Sequence, residues 1–216
     1  SRLSFVRKVY GILSIQLLFT TLVCILFMTV DKLKDFIQGP HGNLLLLLSF
    51  AGSFGVLIAL MCCNLGRKYP HNVICLSLFT VFNSFMLGVV TSYYDTNTVV
   101  LAAGATCLVT FSLTMYSILT KRDFTTMGGT LFTLLIILIF MGIMSIFIHD
   151  QTYNLIYSGL GALIFSVYII HDTQLIIGGA NKKYQIAPDD YVLAALTLYL
   201  DIINLFLYLL SLLNRR

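Results

Sequence analysis

Leu198-Tyr199-Leu200-Asp201-Ile202-Ile203-Asn204-Leu205-Phe206 is a run as apolar as a lipid tail with one carboxylate set inside it. Tyr168-Ile169-Ile170-His171-Asp172-Thr173-Gln174 repeats the arrangement at the end of the preceding apolar stretch. An ionisable group at membrane depth costs about 3 kcal/mol or more, so by default it marks a working site. The rest of the chain is read as the means of holding Asp172 and Asp201 near each other inside a bilayer.

Composition supports the bilayer. Of 216 residues, 58% are hydrophobic and only 10% charged, with a mean hydropathy of +0.93. A soluble domain carries about a quarter charged residues. All nine acidic residues are Asp, and the net charge of +4 sits in short loops and at the ends. That distribution signals membrane orientation rather than nucleic-acid binding, and no nucleic-acid partner is expected.

A bilayer span needs about 20 mostly apolar residues. Seven stretches qualify, at 8–30, 44–63, 73–92, 98–119, 127–148, 153–177 and 191–213. The connections leave no room for a soluble domain. The expected fold is therefore an all-α integral membrane protein, a single transmembrane domain over 1–216 built as a seven-helix bundle, because helices satisfy their own backbone groups in lipid. The first stretch has no small-residue cleavage site and is read as a retained span. Residue 1 is Ser, which leaves room for a native N-terminal arm before it.

Lys and Arg set the orientation. Arg2, Arg7 and Lys8, then Arg67 and Lys68, Lys121 and Arg122, and Lys182 and Lys183 fall on alternate connections, while 93–97 and 149–151 carry none. This puts the N-terminus in the cytosol. Lys32 and Lys34 in the first outer loop dissent, as do Arg215 and Arg216. Either the last helix crosses against the rule or it dips in and returns. Seven helices are preferred, and the side of the C-terminus stays open.

The spans differ in character. Leu131 to Phe140 is almost purely aliphatic and is expected to face lipid. Ser77, Thr80, Ser84 and Thr91 in the third span, and Thr106, Thr110, Thr114 and Ser117 in the fourth, recur at three-to-four spacing and mark inward faces. Their hydroxyls are read as bonding their own i−4 carbonyls in preference to lining a pore. Gly52, Gly55, Ala59, Ser158, Ala162 and Ser166 are read as sites of close helix contact. The five cysteines show neither a disulfide framework nor zinc spacing, and Cys62-Cys63 are read as buried thiols at a helix end. His41, His71 and His149 lack metal-ligand spacing.

Gly178-Gly179 is the expected cap of the sixth helix, and Pro188 the expected first residue of the seventh. Asp189 and Asp190 then face the positive end of the helix dipole as solvated capping charges. Counted from these caps, Asp172 lies about 8 Å and Asp201 roughly 13–15 Å inside. A short connection makes the two helices antiparallel neighbours, so an offset of about one turn can close by tilt. Ala194, Thr197, Asn204 and Tyr208 share a face with Asp201 and turn it into the bundle.

Two carboxylates close together in low dielectric cannot both ionise cheaply, so they share a proton and titrate as a unit. The neutral pair prevails at low pH, and charge and repulsion appear as pH rises. That is a pH-sensitive latch between two helices. The ionised pair is also a hard-oxygen site for transient Ca²⁺ binding. The competing reading is of two buried polar residues that merely fix helix contact. His171 could tune the pair, although a helix-end histidine reaching the interface is the preferred reading.

At these residues the chain resembles the transmembrane Bax-inhibitor-motif (TMBIM) family, Lifeguard branch. The carrying segments are F-V-R-K-V-Y at 5–10, K-R-D-F-T-T at 121–126, D-T-Q-L at 172–175 and P-D-D-Y-V-L-A-A-L-T-L-Y-L-D-I-I-N-L-F-L at 188–207. The resemblance implies a bundle with the C-terminal helix central and wrapped by the others. It implies an endoplasmic reticulum or Golgi membrane protein that leaks Ca²⁺ from the lumen and opposes apoptosis. The family's pH-sensing aspartate pair maps onto Asp172 and Asp201. Bacterial relatives latch one aspartate with an arginine at the inner end of the second helix. Here Arg67 is the nearest candidate, displaced toward the loop, while His171 replaces a residue that is usually Tyr or apolar.

The expected function is thus a pH-sensitive Ca²⁺ leak channel gated by Asp172 and Asp201, with Arg67, His171, Asn204 and Thr197 as candidates for latching or tuning. No cofactor is expected beyond Ca²⁺ as the permeant ion, and the implied partners are the lipid bilayer and Ca²⁺. The alternative is a non-conducting regulator that binds death-pathway or Ca²⁺-release-channel proteins. An intramembrane aspartyl protease ranks lower, because Leu198-Tyr199-Leu200 stands where such enzymes carry Gly-x-Gly. A seven-helix receptor is weakest, since the outer loops are too short for a ligand domain. No enzyme activity is expected.

Overall fold

A computed structural model describes residues 1–214; Arg215 and Arg216, whose side of the membrane the charge pattern left open, lie outside the described residues. Among the described residues eight α-helices follow in order: α1 (Arg2–Thr29), α2 (Asp31–Gln38), α3 (Pro40–Cys62), α4 (His71–Ser92), α5 (Thr96–Leu119), α6 (Gly128–Met144), α7 (Gln151–Ile177) and α8 (Tyr191–Leu213). Among the described residues there is no strand. Seven of the helices are long and apolar enough to cross a membrane, so the seven-span bundle stands. The eighth, α2, was not foreseen. Its eight residues fill the connection between the first two spans, with Ile37 buried and the Gln38 amide donating to the Ser92 carbonyl at 2.9 Å. Lys32 and Lys34 lie on this short helix.

Helix ends follow local chemistry. Pro40 opens α3, where a missing N–H costs nothing. The Asp150 carboxylate caps α7 by accepting from the Tyr153 N–H at 3.1 Å. The expected Gly178 cap is present, with φ of 66° at Gly178 and 130° at Gly179, values that suit a residue without a Cβ. Pro188 begins a three-residue 3₁₀ turn, Pro188–Asp190, and α8 starts just after it. The fifth span is shorter than its apolar run, since the backbone leaves the helix at Ser145 for turns ending at Ile148.

The last two spans are the most buried, over 56% and 61% of their most apolar windows, and the fifth the least, at 11%. The lipid-facing reading of the fifth span is consistent with that figure. Hydroxyls of Ser77, Thr80, Ser84, Thr106, Thr114 and Ser117 each donate to the carbonyl four residues back, as expected. Two details differ. Gly55 has no atom within contact distance of a Cβ placed on it, so it is no close-packing site, whereas Gly52 lies against the Phe82 ring. Cys62 and Cys63 are exposed rather than buried, because α3 ends at Cys62 and both thiols fall at its open end.

The chain divides into two compact units. One comprises Ser1–Val6, Asn97–Ala187 and the chain from Thr197; the other comprises Arg7–Thr96 and Pro188–Leu196. In the second, polar side chains stitch helices together: Gln16 donates to Thr80 at 2.9 Å, Thr20 and Ser84 hydroxyls meet at 2.9 Å, and Asn83 donates to Ser53 at 2.8 Å. In the first, the connections 120–127 and 178–187 are bound to each other. Asp123 accepts from the Lys183 N–H at 2.9 Å and from Thr125 Oγ1 at 2.5 Å, and the Lys182 ammonium donates to the Arg122 carbonyl at 2.7 Å.

Candidate functional site: a buried carboxyl pair

α7 supplies His171 and Asp172, and α8 supplies Asp201. Both aspartates are 3% exposed and His171 is 8% exposed. The structure sets the two carboxyls next to each other. Two neighbouring carboxyls in low dielectric cannot both ionise cheaply. His171 Nδ1 lies 2.8 Å from Asp172 Oδ1. Asp172 Oδ2 and Asp201 Oδ2 are buried with no hydrogen-bond partner. The site gathers one imidazole and two carboxyls.

His171 corrects the preferred reading from sequence. It does not reach an interface. Its ring turns inward onto Asp172, and its Nε2 lies 3.6 Å from where a Cβ on Gly128 would stand, an ordinary packing distance. Adjacent residues on a helix point about 100° apart, which hid the contact. Here the imidazole bends back across that gap to the carboxyl beside it.

Arg67 is engaged, but by Asp190. Its Nε and Nη2 donate to the two oxygens of that carboxylate at 2.6 and 2.8 Å. Asp190, expected as a solvated cap, is instead one half of this ion pair, and its side chain is only 16% exposed. Asn204 donates to the Leu200 carbonyl of its own helix at 2.8 Å, which takes up a donor expected to tune the pair. Thr197 is half-buried one turn before Asp201. Among the described residues no group of three or more His, Cys, Asp and Glu side chains is arranged to hold a metal ion. The pair thus offers a cation two carboxylates, far short of the six to eight oxygens of a Ca²⁺ cage.

Sequence reasoning missed Gln174. It is 1% exposed; its Oε1 accepts from the Phe124 N–H at 2.7 Å, and its Nε2 donates to the Arg122 and Ser117 carbonyls at 3.1 and 3.3 Å. The signal was present, because a second uncharged polar residue sits one half-turn past Asp172 in the same apolar helix. Nearby, Asp123 lies outside the spans. The Thr125 hydroxyl and then the Lys183 N–H hold its carboxyl below the usual carboxylate value of 3.8.

Seven apolar helices, the last two carrying buried aspartates, define an integral membrane protein. The chain matches the family described as "Inhibitor of apoptosis-promoting Bax1" over residues 2–216, and it belongs to that family. It is 42% identical over 214 residues to the "Golgi anti-apoptotic protein" of vaccinia virus strain Lister, covering 99% of this chain and 86% of the relative. The proteins of that name from strains LC16m0 and LC16m8 match to the same extent.

Proposed function

We propose that this protein opposes apoptosis from Golgi or endoplasmic reticulum membranes by leaking Ca²⁺ out of the lumen, with Asp172 and Asp201 as a pH-sensitive gate. Family membership and the vaccinia virus relatives named for the Golgi and for anti-apoptotic action support the setting. The observation that carries the mechanism is the placement side by side of two carboxyls that are each 3% exposed.

With a proton between them, the acids tie α7 to α8. Loss of that proton as pH rises leaves two like charges. At about 4 Å and an effective dielectric of about 20 they repel by about 4 kcal/mol. One hydrogen bond contributes about 1 kcal/mol net, so repulsion wins and the helices part. The freed carboxylates then meet Ca²⁺ weakly, as a leak needs, since an ion held by a full cage does not leave. His171 stabilises charge on Asp172 when the imidazole carries its own proton. The orientation that fits the basic loops has the N-terminus in the cytosol.

Purified protein in Ca²⁺-indicator liposomes tests this across a pH series. Flux should rise with pH, and Asp201→Asn, whose amide still bonds Asp172 but cannot ionise, should flatten the dependence. Flux that is absent, or that has the same pH profile in both proteins, sinks the channel reading and leaves the non-conducting regulator that binds death-pathway or Ca²⁺-release-channel proteins.

A further inference from the structure

Seven residues past Asp201, about 10 Å further along α8, Tyr208 meets α7. Its hydroxyl lies 3.0 Å from that of Tyr157. Its ring stacks on Phe165 at 5.8 Å between centroids and meets the Tyr157 ring edge-on at 5.4 Å. It lies so close over Gly161 that any Cβ there would overlap it. The Tyr157 hydroxyl is seated in the same way on α6, 2.7 Å from where a Cβ on Gly142 would stand. One turn further along α8, the Ser158 and Ser211 hydroxyls meet at 2.7 Å.

Asp172, Phe165 and Ser158 recur at intervals of seven on α7, and therefore lie along one face. Asp201 and Tyr208 stand at the same interval on α8. The face that buries the acid pair continues into an aromatic layer and then into a hydroxyl pair. Polar contacts this far from any charge are weak enough to part, and the hydroxyls can take water when they do. Interlocked aliphatic side chains would resist parting.

We propose that the Tyr157–Tyr208 and Ser158–Ser211 contacts are a second closure on the α7–α8 seam, which must open together with the acid pair for Ca²⁺ to pass. This rests on the leak reading above. The Phe165–Tyr208 layer is the constriction, an apolar ring stack that excludes water, and the hydroxyl bonds hold it shut. Glycine at 142 and 161 is what lets the rings close the gap.

Two arms test it in liposomes with the full chain. Tyr157→Phe and Tyr208→Phe each remove one hydroxyl and keep the ring. Each should raise Ca²⁺ flux about three- to tenfold at a pH where the native protein leaks slowly, the change one hydrogen bond sets. The double variant should match either single one, because all three lose the same bond. In the second arm, Ser158→Cys with Ser211→Cys should form a disulfide under mild oxidant, stop the flux, and recover it with reductant. The inference is overturned if Asp201→Asn changes the flux while the Tyr variants lower only Tm, or if the formed disulfide leaves flux intact. A native chain with no flux at any pH overturns the leak reading and this closure with it.

Discussion

Arg67 grips Asp190 through two nitrogens, Nε and Nη2, on the two oxygens of one carboxylate, and so fastens the turn after α3 to the start of α8. The clasp lies at the surface, with the Arg67 side chain 59% exposed. Solvent screening keeps such a pair weak despite its geometry. Arg67→Ala and Asp190→Asn should each lower Tm slightly, and together by no more than either alone. In 1 M salt, with a Debye length of about 3 Å, the difference from native should narrow. Arg67→Lys should behave like Arg67→Ala, since an ammonium cannot reach both oxygens in this fork. Thermal melts in detergent at two salt concentrations measure this, and strongly additive losses would show that the two residues act separately.

Gln174 should matter more than either charge. Replacing it with Ala strands the Phe124 N–H and the Arg122 and Ser117 carbonyls in a site from which water is excluded. A buried polar group left without a partner costs about 1–3 kcal/mol. Gln174→Ala should destabilise by that order, and Gln174→Glu should not rescue it, because a carboxylate cannot donate to the two carbonyls. Equilibrium unfolding of the three proteins decides the matter.

Acid should loosen the loops before the helices. The Asp123 carboxyl titrates below 3.8 in the folded protein, so its contribution is fully present above 3.8 and is lost as pH falls through the lower folded value. Protection of the Thr125 and Lys183 N–H groups, relative to an unstructured amide at the same pH, should therefore hold at neutral pH and be lost only below 3.8. Asp123→Ala should make both fast at every pH. Hydrogen exchange read at those two amides tests this.

Two glycines three residues apart in α3 should respond in opposite ways to Ala. A Cβ on Gly52 would sit 2.8 Å from the Phe82 ring, while one on Gly55 meets nothing within 4 Å. Gly52→Ala should cost about 1–3 kcal/mol by overpacking. Gly55→Ala should be neutral or stabilise by about 0.5–1 kcal/mol, the helix-propensity difference. Thermal melts of both variants side by side measure the two effects, and equal Tm values would overturn the prediction.

Hydropathy alone placed all seven spans, because lipid imposes the same length and apolarity on any crossing segment wherever it packs. The Gly178 cap and the i−4 bonding of the helix hydroxyls were legible for the same reason: each depends on residues within one turn. The acid pair could be nominated from sequence, since a carboxylate in an apolar run is costly whatever surrounds it. What each polar group touches could not be read. His171 folding onto Asp172, Arg67 turning to Asp190, Asn204 bonding its own helix and Tyr208 finding Tyr157 all depend on the tilt and rotation of packed helices. A few degrees of rotation change a side chain's partner without changing a single local preference. Burial depth belongs to the sequence, and partnership belongs to the tertiary structure.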